Sequence, residues 1–61
     1  MSTPMAYAPA EAAQMLGVSR AMLYRLMDKG DLPSFRIGRA RRIRHDDLVA
    51  MVDRLRDAAV R

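Results

Sequence analysis

Five arginines, Arg36, Arg39, Arg41, Arg42 and Arg44, fall within the ten-residue segment FRIGRARRIR, and no acid lies between Asp31 and Asp46. Guanidinium forks match phosphate oxygens and the edge of guanine, so this spacing points to a polyanion, nucleic acid before any other. Ten of the eleven cations are arginine, Lys29 alone being lysine, and outside that segment six cations meet seven acids. The positive field therefore belongs to one feature, although a charge run by itself also fits a solvated basic loop. His45, the one histidine, is followed directly by Asp46 and Asp47. Consecutive positions at a helix start point in different directions, so capping and charge balance are expected of this trio and no metal is. A nucleophile-histidine-acid set would have to use the same His45, with no oxyanion loop or nucleophile elbow in the sequence. No enzyme, no metal and no cofactor are expected.

The frame that must carry these side chains is small. A chain of 61 residues, 51% hydrophobic, has room for a single modest core. The domain is expected over residues 6–61, with residues 1–5 as a loose tail. With no cysteine there is no disulfide framework and no thiolate site, which suits a reducing cytoplasm. No apolar run approaches the ~20 residues of a membrane span, and the N-terminus MSTPMAYAPAEAA lacks the basic flank and apolar stretch of a signal peptide. A soluble cytoplasmic protein is expected. A net charge of +4 and a pI near 10.7 keep a polyanionic partner foremost.

Local signals divide the chain into three helices and a hairpin. Pro9 suits a first turn, Glu11 at the third helical position can reach back to the Ala8 N–H, and Gly17 suits the end, so a first helix is expected from Pro9 to about Leu16. Ala8 lacks the oxygen of a good cap. Ser19 caps a second helix from Arg20 to about Lys29, ended by Gly30. At 100° per residue, Met22, Leu23, Leu26 and Met27 share one arc, and Arg20, Ala21, Tyr24, Arg25 and Asp28 the opposite one. Phe35-Arg36-Ile37 and Arg42-Ile43-Arg44 alternate apolar and basic, and Gly38-Arg39-Ala40-Arg41 reads as the turn between them. Phe35, Ile37 and Ile43 are expected to face inward. Asp46 and Asp47 favour a third helix start, and Leu48, Met51, Val52, Leu55 and Ala59 then form one stripe. Met15, Met22, Met27 and Met51 are expected as core filler. Arg54, Arg56 and Arg61, alternating with Asp53 and Asp57, read as ordinary solvated surface.

Two helices joined by a short glycine-containing turn, the second capped by serine, match the helix-turn-helix pattern. Ala13 allows close approach, and Leu23 with Leu26 packs back onto the first helix. The outward face, with Ser19, Arg20, Tyr24 and Arg25, offers donors to phosphate and base edges where a bland surface would mix Glu and Lys.

The stretch AAQMLGVSRAMLYRLMDKGDLPSFRIGRARRIRHDDLVAMV resembles the excisionase-like branch of the MerR-related winged-helix domains, with GVSR, YRLMDKGDLP, RIGR and RIRHDDL in that order. The resemblance covers Tyr7 to Met51. It implies a mostly α fold with a small β-hairpin, a winged helix-turn-helix of three helices and a two-stranded wing. Ser19 to Lys29 would be the recognition helix in the major groove, with Ser19, Arg20, Ala21, Tyr24 and Arg25 on its DNA-facing side. The wing would bring Arg36, Arg39, Arg41, Arg42 and Arg44 to the adjacent minor groove or its phosphates. Arg39 and Arg41 are expected at the minor groove, the other three on phosphates, and Tyr24 on a phosphate or a thymine methyl. Ala8 stands where Ser or Thr is usual in the family, and Met51 near a frequent tryptophan.

The family holds both small MerR-like or AlpA-like transcription regulators and phage excisionases, the recombination directionality factors that assemble side by side on repeated sites, bend DNA and turn an integrase toward excision. The chain ends soon after Leu55, without the long coiled coil and effector domain of ligand-sensing MerR-type activators. An excisionase is therefore the first expectation and a small transcription regulator the second. The expected partners are double-stranded DNA, further copies of the chain on that DNA and an integrase in a bacterial host cell. No membrane and no small-molecule ligand are expected.

Overall fold

In the computed structural model, which describes residues 4–60, the backbone obeys most of the local signals. Residues 1–3 of the tail expected over residues 1–5, and Arg61, lie outside the described residues. Helix α1 spans Pro9–Leu16, with Glu11 Oε1 accepting a hydrogen bond from the Ala8 N–H at 2.8 Å, so the carboxylate satisfies the first orphan donor that the alanine cannot. Gly17 closes the helix at φ 72°. Its N–H donates to the Gln14 carbonyl and the Val18 N–H to the Ala13 carbonyl, the paired bonds of a Schellman end. Helix α2 spans Arg20–Asp28 and begins on Ser19, whose Oγ accepts from the Met22 N–H at 3.0 Å. Ser19→Ala removes that acceptor and is expected to cost about 1 kcal/mol of stability, read from the melting temperature by circular dichroism.

Strands β2 (Phe35–Ile37) and β3 (Ala40–Arg44) form the hairpin, and a short strand β1 (Ala6–Tyr7) pairs antiparallel on the far side of β3, giving the order β1-β3-β2. The wing thus supplies the central strand, β3, and one edge strand, β2, of a three-stranded sheet. β1 is an addition to the sequence reading, because two residues carry no period of their own and are ordered only by pairing Ala6 with Arg44 and Tyr7 with Ile43.

The turn is shorter than expected. Ile37 pairs with Ala40, leaving only Gly38 and Arg39 as loop, with Gly38 at φ 63° and Arg39 at negative φ, the signs of a type II′ hairpin. This register decides which side chains face inward. Pairs Phe35 with Arg42, Arg36 with Arg41 and Ile37 with Ala40 place odd-numbered β2 residues opposite even-numbered β3 residues. Because side chains alternate along a strand, Ile43 shares its face with Arg41, Arg36 and Tyr7, and Phe35 and Ile37 lie on the other face. Ile43 and Tyr7 are buried while Phe35 and Ile37 are 39% and 64% exposed. The inward placement expected of Phe35 and Ile37 is therefore corrected. No even loop length puts them on one face with Ile43; the two-residue turn excludes it.

Helix α3 spans His45–Ala59, with Asp46 and Asp47 in its first turn where the helix dipole favours them. Of its expected apolar stripe only Leu48 and Met51 are buried; Val52, Leu55 and Ala59 are exposed. The core consists of Tyr7, Ala12, Ala13, Leu23, Met27, Leu32, Ile43, Leu48 and Met51, with Leu16 and Leu26 packed at its edge. Met15 and Met22, expected as core filler, are exposed. Ala12 and Ala13 bring α1 and α2 together, since small side chains let the two backbones approach.

Candidate nucleic-acid interface

The outward arc of α2 is as the helical period requires: Arg20, Ala21, Tyr24 and Arg25 are all exposed, as is Ser19 at its cap. The Ser19 oxygen already accepts from the helix, so what it retains for a partner is its hydroxyl proton. Arg20 and Arg25 take part in no ion pair among the described residues, whose salt bridges are Lys29 with Asp31, Arg44 with Asp46, and Arg56 with Asp53 and Asp57. Their charge is open to a ligand.

The wing arginines separate by face. Arg36 and Arg41 lie on the side of the sheet that meets the helices, Arg42 and Arg44 on the opposite side, and Arg39 stands alone in the turn. The expectation that Arg41 sits with Arg39 at the tip is corrected by the register, which sets Arg41 within β3. Its side chain turns toward α2: the guanidinium carbon lies 5.9 Å from the Tyr24 ring centroid, and Nε donates to Ser34 Oγ at 3.0 Å. The exposed face of α2 and the hairpin are therefore neighbours on one side of the molecule, and Tyr24 remains 36% exposed. Arg42 Nη1 donates to the Arg41 carbonyl at 2.8 Å, and Arg44 Nη2 lies 3.4 Å from Asp46 Oδ2. These two cations are partly occupied by their own chain.

Other side chains hold this frame from behind. The Tyr7 hydroxyl and His45 Nδ1 lie 2.9 Å apart, and the His45 N–H donates to the Met5 carbonyl, so His45 ties β1 to the start of α3. The capping role expected of His45 is corrected: Arg44 occupies the cap position, and His45 pairs across the fold with a buried tyrosine. Among the described residues no group of three or more metal-ligating side chains comes together. Arg54, expected as bland surface, donates from Nη2 to the Asp31 carbonyl, fixing α3 to the connector between α2 and β2. Ser34 and Arg54 were missed by sequence reasoning. For Ser34 a signal exists: with a two-residue turn, positions 34, 36, 41 and 43 share a face.

A helix pair with a serine-capped second helix, flanked by a hairpin on the same side, defines a winged helix-turn-helix protein. Residues 7–56 match the helix-turn-helix domain family. The chain belongs to that family and carries a DNA-binding helix-turn-helix domain. It is similar to the transcriptional repressor DcmR of Methylorubrum extorquens (strain DSM 6343 / CIP 106787 / DM4), 54% identical over 44 residues that cover 69% of this chain. The chain spans 17% of the length of that relative. No solved structure matches it. No helix among the described residues is long and apolar enough to cross a membrane.

Proposed function

We propose that the chain is a sequence-specific transcription regulator that represses by occupying DNA, with α2 in the major groove and the wing on the neighbouring minor groove or its phosphates. The observation that carries this reading is the junction of Arg41 and Tyr24, which sets the hairpin beside the exposed α2 face that bears Arg20 and Arg25. In this reading Arg20 and Arg25 address base edges, Arg39 enters the minor groove from the turn, and Arg36, Arg42 and Arg44 meet phosphates. The repressor relative supports a transcriptional role ahead of a recombinational one.

The excisionase reading is kept second, on the order and spacing of GVSR, RIGR and RIRHDDL. There, copies load cooperatively on repeated sites, bend the DNA and direct an integrase toward excision. Reporter output from the chain's own promoter and excision by a cognate integrase, each with and without the protein, separate the two. Repression with unaltered recombination supports the first; enhanced excision with unaltered output supports the second.

Both readings share one quantitative expectation. Five or six phosphate contacts give a slope of log K on log salt near about −5, measured by fluorescence anisotropy on duplex DNA over a salt series. A slope near zero overturns both and points instead to an acidic protein partner.

A further inference from the structure

Within that DNA-binding reading, we infer that Arg41 is a positioning residue: held between Ser34 and the ring of Tyr24, it sets the spacing between recognition helix and wing, and through it the choice of DNA sequence. Two separate contacts converge on this half-buried side chain. Its Nε donates to Ser34 Oγ at 3.0 Å, fixing the guanidinium plane, and its cationic carbon stands 5.9 Å from the Tyr24 centroid, inside the reach of a cation–π contact. Ser34 ends the connector that leaves α2, and Arg41 lies across the hairpin from Arg36. The arginine thus joins three places: the recognition helix, the connector and the central strand of the sheet.

The residue type suits that task. A planar guanidinium donates in its plane through Nε while presenting its flat face to a ring, and its Nη edge can still serve a phosphate; an ammonium group cannot do all of these together. Arg41 differs in this from Arg39, which stands in the turn and makes no side-chain hydrogen bond or ion pair among the described residues. The connector is itself anchored, since Leu32 is buried and the Asp31 carbonyl accepts from Arg54. Ser34 is therefore a fixed point against which Arg41 is held.

Positioning and charge have different consequences on DNA. Non-specific binding depends on the number of phosphates neutralised and tolerates a wing that shifts. Specific binding requires helix and wing to meet their grooves in one register. A positioning arginine therefore affects sequence preference more than overall affinity.

The test uses the full chain, the duplex that wild-type protein enriches from a random-sequence pool, and a scrambled duplex of equal length. Arg41→Lys keeps the charge and is expected to lower affinity for the enriched duplex about tenfold while changing the scrambled one less than about twofold, with the salt slope unchanged. Ser34→Ala, which alters no charge, is expected to lose about threefold of the same preference. Combined with Arg41→Lys it should lose little more than Arg41→Lys alone, the non-additivity of two residues acting through one contact. Tyr24→Phe retains the ring face and should leave this coupling intact.

If Arg41→Lys and Ser34→Ala both discriminate as wild type does, or Arg41→Lys weakens both duplexes equally, the positioning role is overturned while the DNA reading stands. If wild-type protein enriches no duplex and shifts none, the DNA reading falls and this inference falls with it.

Discussion

Leu23→Ala is expected to cost about 2–5 kcal/mol and to abolish the cooperative thermal transition of this domain. Leu23 is fully buried and is one of the four largest side chains with no exposed surface, together with Leu32, Ile43 and Met51. The contiguous core has nine buried residues, two of them alanines, so few neighbours can move in to fill the vacated space. A domain of this size has only a few kcal/mol of net stability to lose. Leu23 also lies on the arc of α2 opposite the exposed arginines, so its loss detaches the very helix that presents them. DNA binding should disappear with the fold, and adding excess duplex should restore part of it by mass action. Leu26→Ala makes the internal contrast. Leu26 shares the same arc but is only half-buried at the edge of the core, so about 1–2 kcal/mol is expected there. Circular dichroism melts of the two variants decide the matter. If Leu23→Ala melts with wild type, the burial on which the α1–α2 packing rests is wrong.

What the sequence disclosed depended on how local the governing physics is. The ends of α1 and α2 rest on Glu11, Gly17, Ser19 and Gly30, each acting within four residues, and they fall within a residue of expectation. The two arcs of α2 follow from helical period, although Met22 was placed in the core and is exposed at the rim. The wing failed at parity. A basic-apolar alternation shows that a hairpin exists, but any even turn, the expected four residues as much as the two observed, opposes odd positions to even ones and parts Phe35 and Ile37 from Ile43; the longer turn concealed only the place of Ala40 and Arg41 within the strand. Once Ile37 is paired with Ala40, the outward position of Phe35, the inward position of Arg41 and its meeting with Ser34 all follow. The stripe on α3 was over-read for a different reason. Apolar period shows which face of a helix is greasy, not how far its neighbours extend, and beyond Met51 that face lies open. Strand β1, the Tyr7–His45 bond and the Arg54–Asp31 bond are long-range contacts with no local signature.

Arg20→Ala and Arg25→Ala are each expected to lose roughly 1–3 kcal/mol of specific DNA binding and to relax preference at one base pair, with opposite effects on stability. Arg20 occupies the first residue of α2, in a first turn that contains no acid. A cation there faces the positive end of the helix dipole, so the fold is better off without it, and Arg20→Ala should leave the melting temperature unchanged or raise stability by about 0.3–1 kcal/mol. Arg25 lies in the last turn, where the same dipole favours a cation, and its removal should cost a few tenths of a kcal/mol. A residue that opposes its own helix and, among the described residues, pairs with no carboxylate is difficult to explain as a stabilising surface charge. A ligand of negative charge at the α2 N-terminus removes the difficulty, because it interacts favourably with the arginine, the dipole and the free N–H groups together. The salt slope should fall by about one only for a variant whose guanidinium meets a phosphate, which separates base reading from backbone contact at each position. Enrichment of a random pool with each variant, beside its melting curve, provides both readouts. If Arg20→Ala and Arg25→Ala both enriched the same sequence as wild type with equal affinity, α2 would not be the element that reads the DNA.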